Sequence, residues 1–241
     1  IDEALAFADR IGYPVMVKAA AGGGGRGIRL INSPGEFREA AARAMQEAQA
    51  AFGNAAIYVE KNLQRVRHIE VQVIGDKFGN AVPVGERECS IQRRHQKLIE
   101  ECPSIAVSPQ LRRSLTRAAV RIARAANYHN VGTVEFLLTE DGSYYFLEMN
   151  TRLQVEHPVT EIVTGTDLVK DQIIVAAGEE LPYEEADLLT RGWGIECRIV
   201  AEDLFNNFLP SAGKVVFARE PAGPGIRVES ALYDGVEVTP Y

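Results

Sequence analysis

Apolar and polar residues recur along this chain with two different periods, which predicts a mixture of helices and strands. An apolar residue every three to four positions predicts a helix, and a short alternating or continuous apolar run predicts a strand. The predicted helices span 2–11, 34–51 and 109–128, and the predicted strands span 13–18, 28–31, 57–60, 68–74, 131–138 and 144–149. We therefore expect an α+β fold in which the first two helices pack on the first hairpin.

The strand predicted at 68–74 carries three polar side chains on one face. His68, Glu70 and Gln72 alternate there with aliphatic residues. Because successive side chains of a strand point to opposite faces, this alternation predicts a half-buried strand. Its polar face meets either solvent or a functional site.

An Asp-Gly pair predicts a tight turn between the last two strands. A two-residue turn at Asp141 and Gly142 places Glu135 opposite Glu148. Opposed carboxylates repel each other, so a positive group should lie between them. Mg²⁺ bound to nucleotide phosphates would fit, with Asn150 as a third ligand on the face of Glu148. The alternative is an exposed hairpin in which a lysine or a raised pKa relieves the repulsion.

A run of glycines joins the first two strands. Residues 22–27 read Gly-Gly-Gly-Gly-Arg-Gly, and Lys18 precedes them. Glycine lets backbone N–H groups turn toward a polyanion, and the basic side chains add positive charge, so a nucleotide phosphate is the expected ligand. A dinucleotide-binding loop would be followed directly by a helix, whereas a strand follows here. The Gly-Lys-Ser/Thr ending of a Walker A loop and the later motifs of protein kinases are also missing, which argues against these two classes. A flexible hairpin tip is the alternative.

Two dense polar clusters are further candidate sites. In the segment 150–158, Arg152 can bind an oxyanion and Glu156 can act as a base, whereas His157 precedes a proline and could equally be structural. The basic segment 93–97 either binds phosphate or faces solvent. The arginines of the helix at 109–128 predict a solvated face.

Composition narrows the class of protein. The chain has 241 residues, 46% of them hydrophobic, which fits one large domain or two small ones. The formal net charge of −7 argues against nucleic acid as a partner. No apolar stretch has the roughly 20 residues that span a bilayer, and three cysteines without C-x-x-C spacing suggest neither a disulfide framework nor a zinc site. We therefore expect a protein of a reducing compartment without a membrane partner. The chain starts at Ile1 rather than at methionine, so we also expect it to be a segment of a longer protein.

Taken together, these motifs resemble the biotin carboxylase component of biotin-dependent carboxylases, which has an ATP-grasp fold. The resemblance rests on Lys18, the GGGGRG loop, His68-x-Glu70, the segment 90–97, Glu135, the segment 148–161 and the segment 196–199. It implies a small lid subdomain with a glycine flap and a larger subdomain with a mixed or antiparallel sheet. It also implies an ATP-dependent carboxylation of biotin, in which bicarbonate is first converted to carboxyphosphate.

The resemblance also implies roles for individual residues. The nucleotide would be held by Lys18, Gly23, Gly24, Gly25, Glu60, Lys61, Leu63, His68, Gln92 and His95. Magnesium or manganese would be held by Glu135, Glu148 and Asn150. Bicarbonate would be enclosed by Lys97, Arg152, Gln154, the backbone of Val155, and Glu156 as its base. Arg198 would stabilise the biotin enolate, although the residues alone would favour a salt bridge at the surface or core edge.

The same resemblance predicts the domain organisation and the partners. Residues 1–63 would form the lid, 64–185 the main subdomain with the metal and bicarbonate site, and 186–241 the start of a C-terminal region. An N-terminal domain would lie outside the chain, and we expect this segment to be poorly active alone. The partners would be a biotin carboxyl carrier and a carboxyltransferase, in a homo-oligomeric protein of the cytoplasm, or of the mitochondrial matrix in a eukaryote. Another bicarbonate-using ATP-grasp ligase, of the carbamoyl phosphate synthetase type, and an inactive nucleotide-binding module remain alternatives.

Overall fold

Antiparallel sheets of three and six strands form the framework of the first of two units, residues 1–197. The computed structural model describes residues 1–21 and 28–239. The helices of this unit are α1 (Asp2–Ile11), α2 (Pro34–Phe52), α3 (Pro109–Ala125), α4 (His157–Thr164) and α5 (Leu168–Ala177). Its strands are β1 (Val15–Ala19), β2 (Ile28–Ile31), β3 (Ile57–Lys61), β4 (Arg67–Gly75), β5 (Ala81–Arg93), β6 (Gln96–Cys102), β7 (Asn130–Leu138), β8 (Tyr144–Asn150) and β9 (Gly194–Cys197). The predicted elements are confirmed to within a few residues at their ends.

The smaller sheet has the strand order β2-β1-β3 and carries α1 and α2. Ala8 of α1 and Phe37 of α2 pack with Val15, Val17 and Ile31 of the sheet, and all five are fully buried. The predicted packing of two helices on the first hairpin is thus confirmed. The predicted phosphate-binding glycines, Gly23, Gly24 and Gly25, lie outside the described residues.

The larger sheet has the order β8-β7-β4-β5-β6-β9, which places β4 and β5 at its centre. α3 packs against β4 and β5, α4 packs against β5 and β6, and α5 packs against β7. In β4 every residue from Ile69 to Gly75 is buried, including Glu70 and Gln72 at 0% exposure. The predicted half-buried strand is therefore wrong. Because buried polar groups need partners, the polar face of β4 belongs to an internal network.

The hairpin of β7 and β8 turns through three residues rather than two. The Thr139 N–H donates to the carbonyl oxygen of Ser143 at 2.9 Å, so residues 140–142 form the loop. The predicted two-residue turn is wrong. The predicted pairing of Glu135 with Glu148 is nevertheless confirmed, because a β-bulge next to Glu135 shifts the register by one residue and cancels the difference.

One arginine of α3 does not face solvent as predicted. Arg112 Nε lies 2.9 and 2.8 Å from the two carboxylate oxygens of Glu86, a residue of β5 that is only 2% exposed. A buried carboxylate needs a cation close by, so this arginine bridges the helix and the sheet. The other arginines of the row are exposed as predicted, at Arg113, Arg117, Arg121 and Arg124.

The second unit, residues 198–241, contains short strand pairs among its described residues. They are β10 (Glu202–Asp203) with β11 (Leu209–Pro210), and β12 (Gly213–Lys214) with β13 (Glu237–Val238). The domain boundaries predicted after residues 63 and 185 stay predictions. Within the ranges 1–21 and 28–239, no helix combines the length and apolar composition that crossing a bilayer requires.

Candidate active site

Lys97 of β6 brings three carboxylates together above the larger sheet. Its Nζ lies 2.9 Å from Glu135 Oε1 of β7 and 2.6 Å from Glu156 Oε1, just before α4, and it also contacts Glu70 Oε1 of β4. β5 lies between β4 and β6, so the long lysine side chain must cross one strand to reach Glu70. The lysine supplies positive charge at Glu135, whereas the ion predicted between Glu135 and Glu148 stays a prediction.

The carboxylates keep Lys97 charged although it is mostly buried. Burial by itself lowers the pKa of Lys97, but the negative charges of Glu70, Glu135 and Glu156 outweigh burial and raise it. Burial likewise raises the pKa of Glu135, and His68 and Lys97 reverse this effect and hold it below its ordinary value. The cluster is thus a set of mutually compensating buried charges.

His68 adds a second cation on the same face of β4. Its Nε2 lies 3.0 Å from Glu70 Oε1 and 3.1 Å from Glu135 Oε2. Burial lowers the pKa of His68, whereas the two adjacent carboxylates raise it to about 9, so the ring is protonated at neutral pH. The predicted polar face of His68, Glu70 and Gln72 therefore lines the cluster rather than solvent.

The proposed metal ligands converge at the β7–β8 pair. Glu135 lies opposite Glu148, and Asn150 Nδ2 donates to Glu135 Oε1 at 2.9 Å and to Glu148 Oε1 at 3.3 Å. All three side chains carry oxygens of the kind that Mg²⁺ prefers, and two of them are carboxylates. This donor set fits such an ion.

Gln154 joins the cluster from the loop that precedes α4. It is 6% exposed, and its Nε2 donates to Glu135 Oε1 at 3.1 Å. Its Oε1 accepts a hydrogen bond of 3.0 Å from Arg87 of β5. Sequence reasoning missed Arg87, whose only signal was a charged run inside a strand, and it did not assign a role to Glu70, although the alternation in β4 placed Glu70 beside His68.

The other predicted bicarbonate residues differ in burial and contacts. Glu156 is 2% exposed and contacts Lys97, whereas Val155 is 61% exposed. Arg152 is exposed, and its Nη1 donates to the carbonyl oxygen of Leu153 at 3.2 Å. Arg198 is the first residue of the second unit, so its predicted role stays a prediction.

Predicted nucleotide-binding residues at the smaller sheet form a separate group. Lys18 of β1 forms an ion pair with Glu60 of β3. Lys61 Nζ donates to two backbone carbonyls before β1, those of Gly12 at 2.8 Å and Tyr13 at 3.0 Å. Leu63, just after β3, is partly buried.

Two further nucleotide candidates lie at the end of the β5–β6 hairpin. Gln92 Nε2 donates to the carbonyl oxygen of Cys89 at 2.7 Å. Arg94 and His95 form the turn with positive φ angles of 52° and 64°, in a region that residues other than glycine seldom occupy, with asparagine, aspartate and histidine the most frequent exceptions. Both residues are exposed.

Known proteins similar to this chain indicate its family. The family model described as "Carbamoyl-phosphate synthase L chain, ATP binding domain" matches residues 1–184, and the one described as "Biotin carboxylase C-terminal domain" matches residues 196–241. Biotin carboxylase 2, chloroplastic, of Populus trichocarpa is 54% identical over 99% of the chain, which corresponds to 45% of that protein. The chain spans about half the length of the relatives it matches.

Two solved structures have the same fold. The biotin carboxylase of Campylobacter jejuni, solved as a beta-gamma-ATP complex, superposes with a TM-score of 0.94 at 49% sequence identity. The match covers 98% of this chain and 53% of the Campylobacter jejuni chain. The biotin carboxylase domain of the 2-oxoglutarate carboxylase of Hydrogenobacter thermophilus, with MgADP, ADP and bicarbonate, has the same TM-score at 50% identity, over 100% and 53% of the two chains. The predicted ATP-grasp fold is confirmed. The chain therefore belongs to the family of the carbamoyl-phosphate synthase L chain ATP-binding domain, and within it is similar to the biotin carboxylase components of biotin-dependent carboxylases.

Proposed function

We propose that this chain is the catalytic segment of a biotin carboxylase, which uses ATP and bicarbonate to carboxylate biotin through carboxyphosphate. The observation that carries the proposal is the convergence of Lys97 and Gln154 on Glu135, with Glu156 beside Lys97. A cation, an amide donor and a carboxylate base within one buried cluster suit a small oxyanion that must lose a proton.

Glu156 is the base in this proposal. It would remove the proton of bicarbonate, so that a bicarbonate oxygen can attack the γ-phosphorus of ATP and ADP can leave. Lys97 contacts Glu156 and would hold the bicarbonate charge close to it, while Arg152 would steady the phosphate charge. The carboxyphosphate would break down to CO₂ and phosphate. This phosphate would take the N1′ proton of biotin, and N1′ of the resulting enolate, stabilised by Arg198, would attack the CO₂.

The β7–β8 pair would hold the metal. Glu135, Glu148 and Asn150 would bind Mg²⁺, or Mn²⁺, which supplies charge neutralisation for the phosphates when bound. The glycine flap, Lys18, Glu60, Lys61, Leu63, His68, Gln92 and His95 would hold the nucleotide. A biotin carrier and a carboxyltransferase complete the proposed set of partners.

The test is bicarbonate-dependent release of phosphate from MgATP, measured with and without free biotin on the protein with its natural flanks. Glu156→Gln should lower the biotin-stimulated rate by about 100-fold or more, because it removes the base but keeps the size and shape of the side chain. Glu180→Gln makes the same chemical change at an exposed carboxylate and serves as the matched control.

Each result has a separate meaning. Biotin-stimulated turnover that is lost in Glu156→Gln and retained in Glu180→Gln would support the proposal. Turnover that does not respond to biotin would favour a bicarbonate-using ligase of the carbamoyl phosphate synthetase type. Binding of ATP without turnover would leave a nucleotide-binding module.

A further inference from the structure

Arg87 lies at the centre of the larger sheet with its side chain completely buried. A guanidinium has five N–H donors, and here each has an acceptor within hydrogen-bond distance. The acceptors are Glu70 Oε2 (2.9 Å from Nε), Gln72 Oε1 (2.7 Å from Nη1), Thr160 Oγ1 (3.2 Å from Nη1), Thr133 Oγ1 (3.0 Å from Nη2) and Gln154 Oε1 (3.0 Å from Nη2). Such complete pairing fixes the guanidinium in one orientation.

Two of these five partners belong to the candidate active site. Glu70 contacts Lys97 and His68 with its other oxygen, and Gln154 donates to Glu135. The remaining partners lie on β4, β7 and α4 and hold the guanidinium from the other sides. Arg87 is therefore connected to the active-site cluster without being part of the surface that faces a ligand.

The contact with Gln154 determines which end of its amide faces the site. A guanidinium can only donate, so it attracts the amide oxygen and never the amide nitrogen. With Oε1 bound to Arg87 at 3.0 Å, Nε2 must point the other way, where it lies 3.1 Å from Glu135 Oε1. The reversed amide would place two donors against each other and a carbonyl oxygen against a carboxylate.

The contact with Glu70 has a comparable electrostatic effect. Burial raises the pKa of Glu70, but the charge of Arg87 and, beyond it, those of His68 and Lys97 lower it below the ordinary value. Glu70 thus stays ionised although it is fully buried. Its carboxylate can then hold Lys97 and His68 in place through the contacts of Oε1.

We infer that Arg87 is a positioning residue for anion binding, which orients the amide donor of Gln154 toward the bicarbonate site and holds the carboxylate of Glu70 against Lys97 and His68. The inference rests on the proposed function, because bicarbonate is the ligand that the Gln154 donor would meet. Lysine cannot replace Arg87 in this role, since an ammonium group lacks the planar fork that reaches Glu70 and Gln154 at once.

The test compares Arg87→Lys with Thr160→Val in the full-length protein. Arg87→Lys should raise the KM for bicarbonate by about tenfold, with the KM for MgATP changed by less than about twofold, because one oriented donor to an anion is lost. Thr160→Val removes an acceptor of Arg87 on the side away from Gln154 and should leave the KM for bicarbonate within about twofold. An unchanged KM for bicarbonate in Arg87→Lys would overturn the inference.

A double-mutant cycle with Gln154→Ala separates orientation from general destabilisation. Once the amide is absent, most of the effect of Arg87→Lys on the KM for bicarbonate should disappear, whereas a loss of stability would persist. Fully additive effects would contradict the inference.

If Arg87→Lys does not fold, Thr133→Val and Thr160→Val give the same test with the guanidinium retained. Thr133 shares Nη2 with Gln154, and Thr160 shares Nη1 with Gln72. Thr133→Val should raise the KM for bicarbonate by about threefold, and Thr160→Val should not; equal effects would refute the positioning role.

The wild-type protein distinguishes the two levels of the argument. Bicarbonate-dependent turnover in the wild type with normal KM values in every variant would remove only the role of Arg87. A wild type without bicarbonate-dependent turnover would remove the proposed function and this inference with it.

Discussion

Replacing Lys97 with methionine should destabilise the protein and should do so in a pH-dependent way. The lysine side chain is 13% exposed, and its ammonium contacts Glu70, Glu135 and Glu156, which are between 0% and 5% exposed. Methionine keeps most of the volume but leaves three buried carboxylates with less positive charge. Removing one partner of a buried ion pair costs about 3–5 kcal/mol, so we expect a loss of about 3 kcal/mol in the free energy of unfolding near neutral pH.

The sign of the pH dependence follows from the carboxylates. In the wild type the folded pKa of Glu135 lies below its ordinary value of 4.5, so this group stabilises the fold above about pH 4.5 and loses that contribution as the pH falls. Without Lys97 the folded pKa values of Glu70 and Glu135 rise, and the native state takes up protons more readily. The difference between wild type and Lys97→Met should therefore shrink as the pH falls from about 8 to about 5.

Urea denaturation at several pH values measures this difference directly. Lys170→Met is the matched control, because Lys170 is an exposed residue of α5 and should change the free energy of unfolding by less than about 0.5 kcal/mol. The reasoning fails if Lys97→Met is as stable as the control, or if its destabilisation is the same at every pH.

Three other predictions concern the pKa of a histidine, the fit of a glycine and the reactivity of the thiols. Because the pKa of His68 rises from 6.5 to about 9 on folding, its contribution to stability is complete below about pH 6.5 and is lost as the pH rises through about 9, a loss of roughly 3 kcal/mol. A His68→Gln variant should lack this slope in urea denaturation, and an unchanged slope would contradict the assignment. Gly75→Ala should lower the free energy of unfolding by about 1–3 kcal/mol, because a Cβ there would lie 2.4 Å from the backbone carbonyl oxygen of Tyr128. In the control Gly35→Ala the added Cβ meets open space and should not destabilise the protein. Equal stabilities of the two variants would refute the close contact at Gly75. In thiol labelling followed by peptide mapping, the exposed Cys197 should react in the native protein. Cys89 is buried, and burial raises the pKa of its thiol, so it should react only after unfolding. Labelling of Cys89 in the native protein would disprove its burial.

The sequence alone was sufficient for many of the local elements and for the family, although it did not predict β5, β6, β9, α4 or α5. Hydrophobic periodicity located the helices and strands, because it reports which face of an element is buried. The motifs around Lys97, Glu135 and the segment 148–161 indicated an ATP-grasp carboxylase component, since they are contiguous and the chemistry depends on their residue types. The opposition of Glu135 and Glu148 was also predicted, but through a turn that the structure replaces with a three-residue loop and a bulge.

Only the tertiary structure decided what surrounds these residues. Whether the polar face of β4 meets solvent depends on the helices that cover the sheet, and those come from distant parts of the chain. Arg87 shows the limit most clearly, because its acceptors lie between 15 and 73 residues away in sequence. Alternation within a strand indicates the direction of a side chain but not its partners across neighbouring strands and helices. The packing of β4, β5, β7 and α4 therefore determined that a charged residue of an internal strand supports the candidate active site.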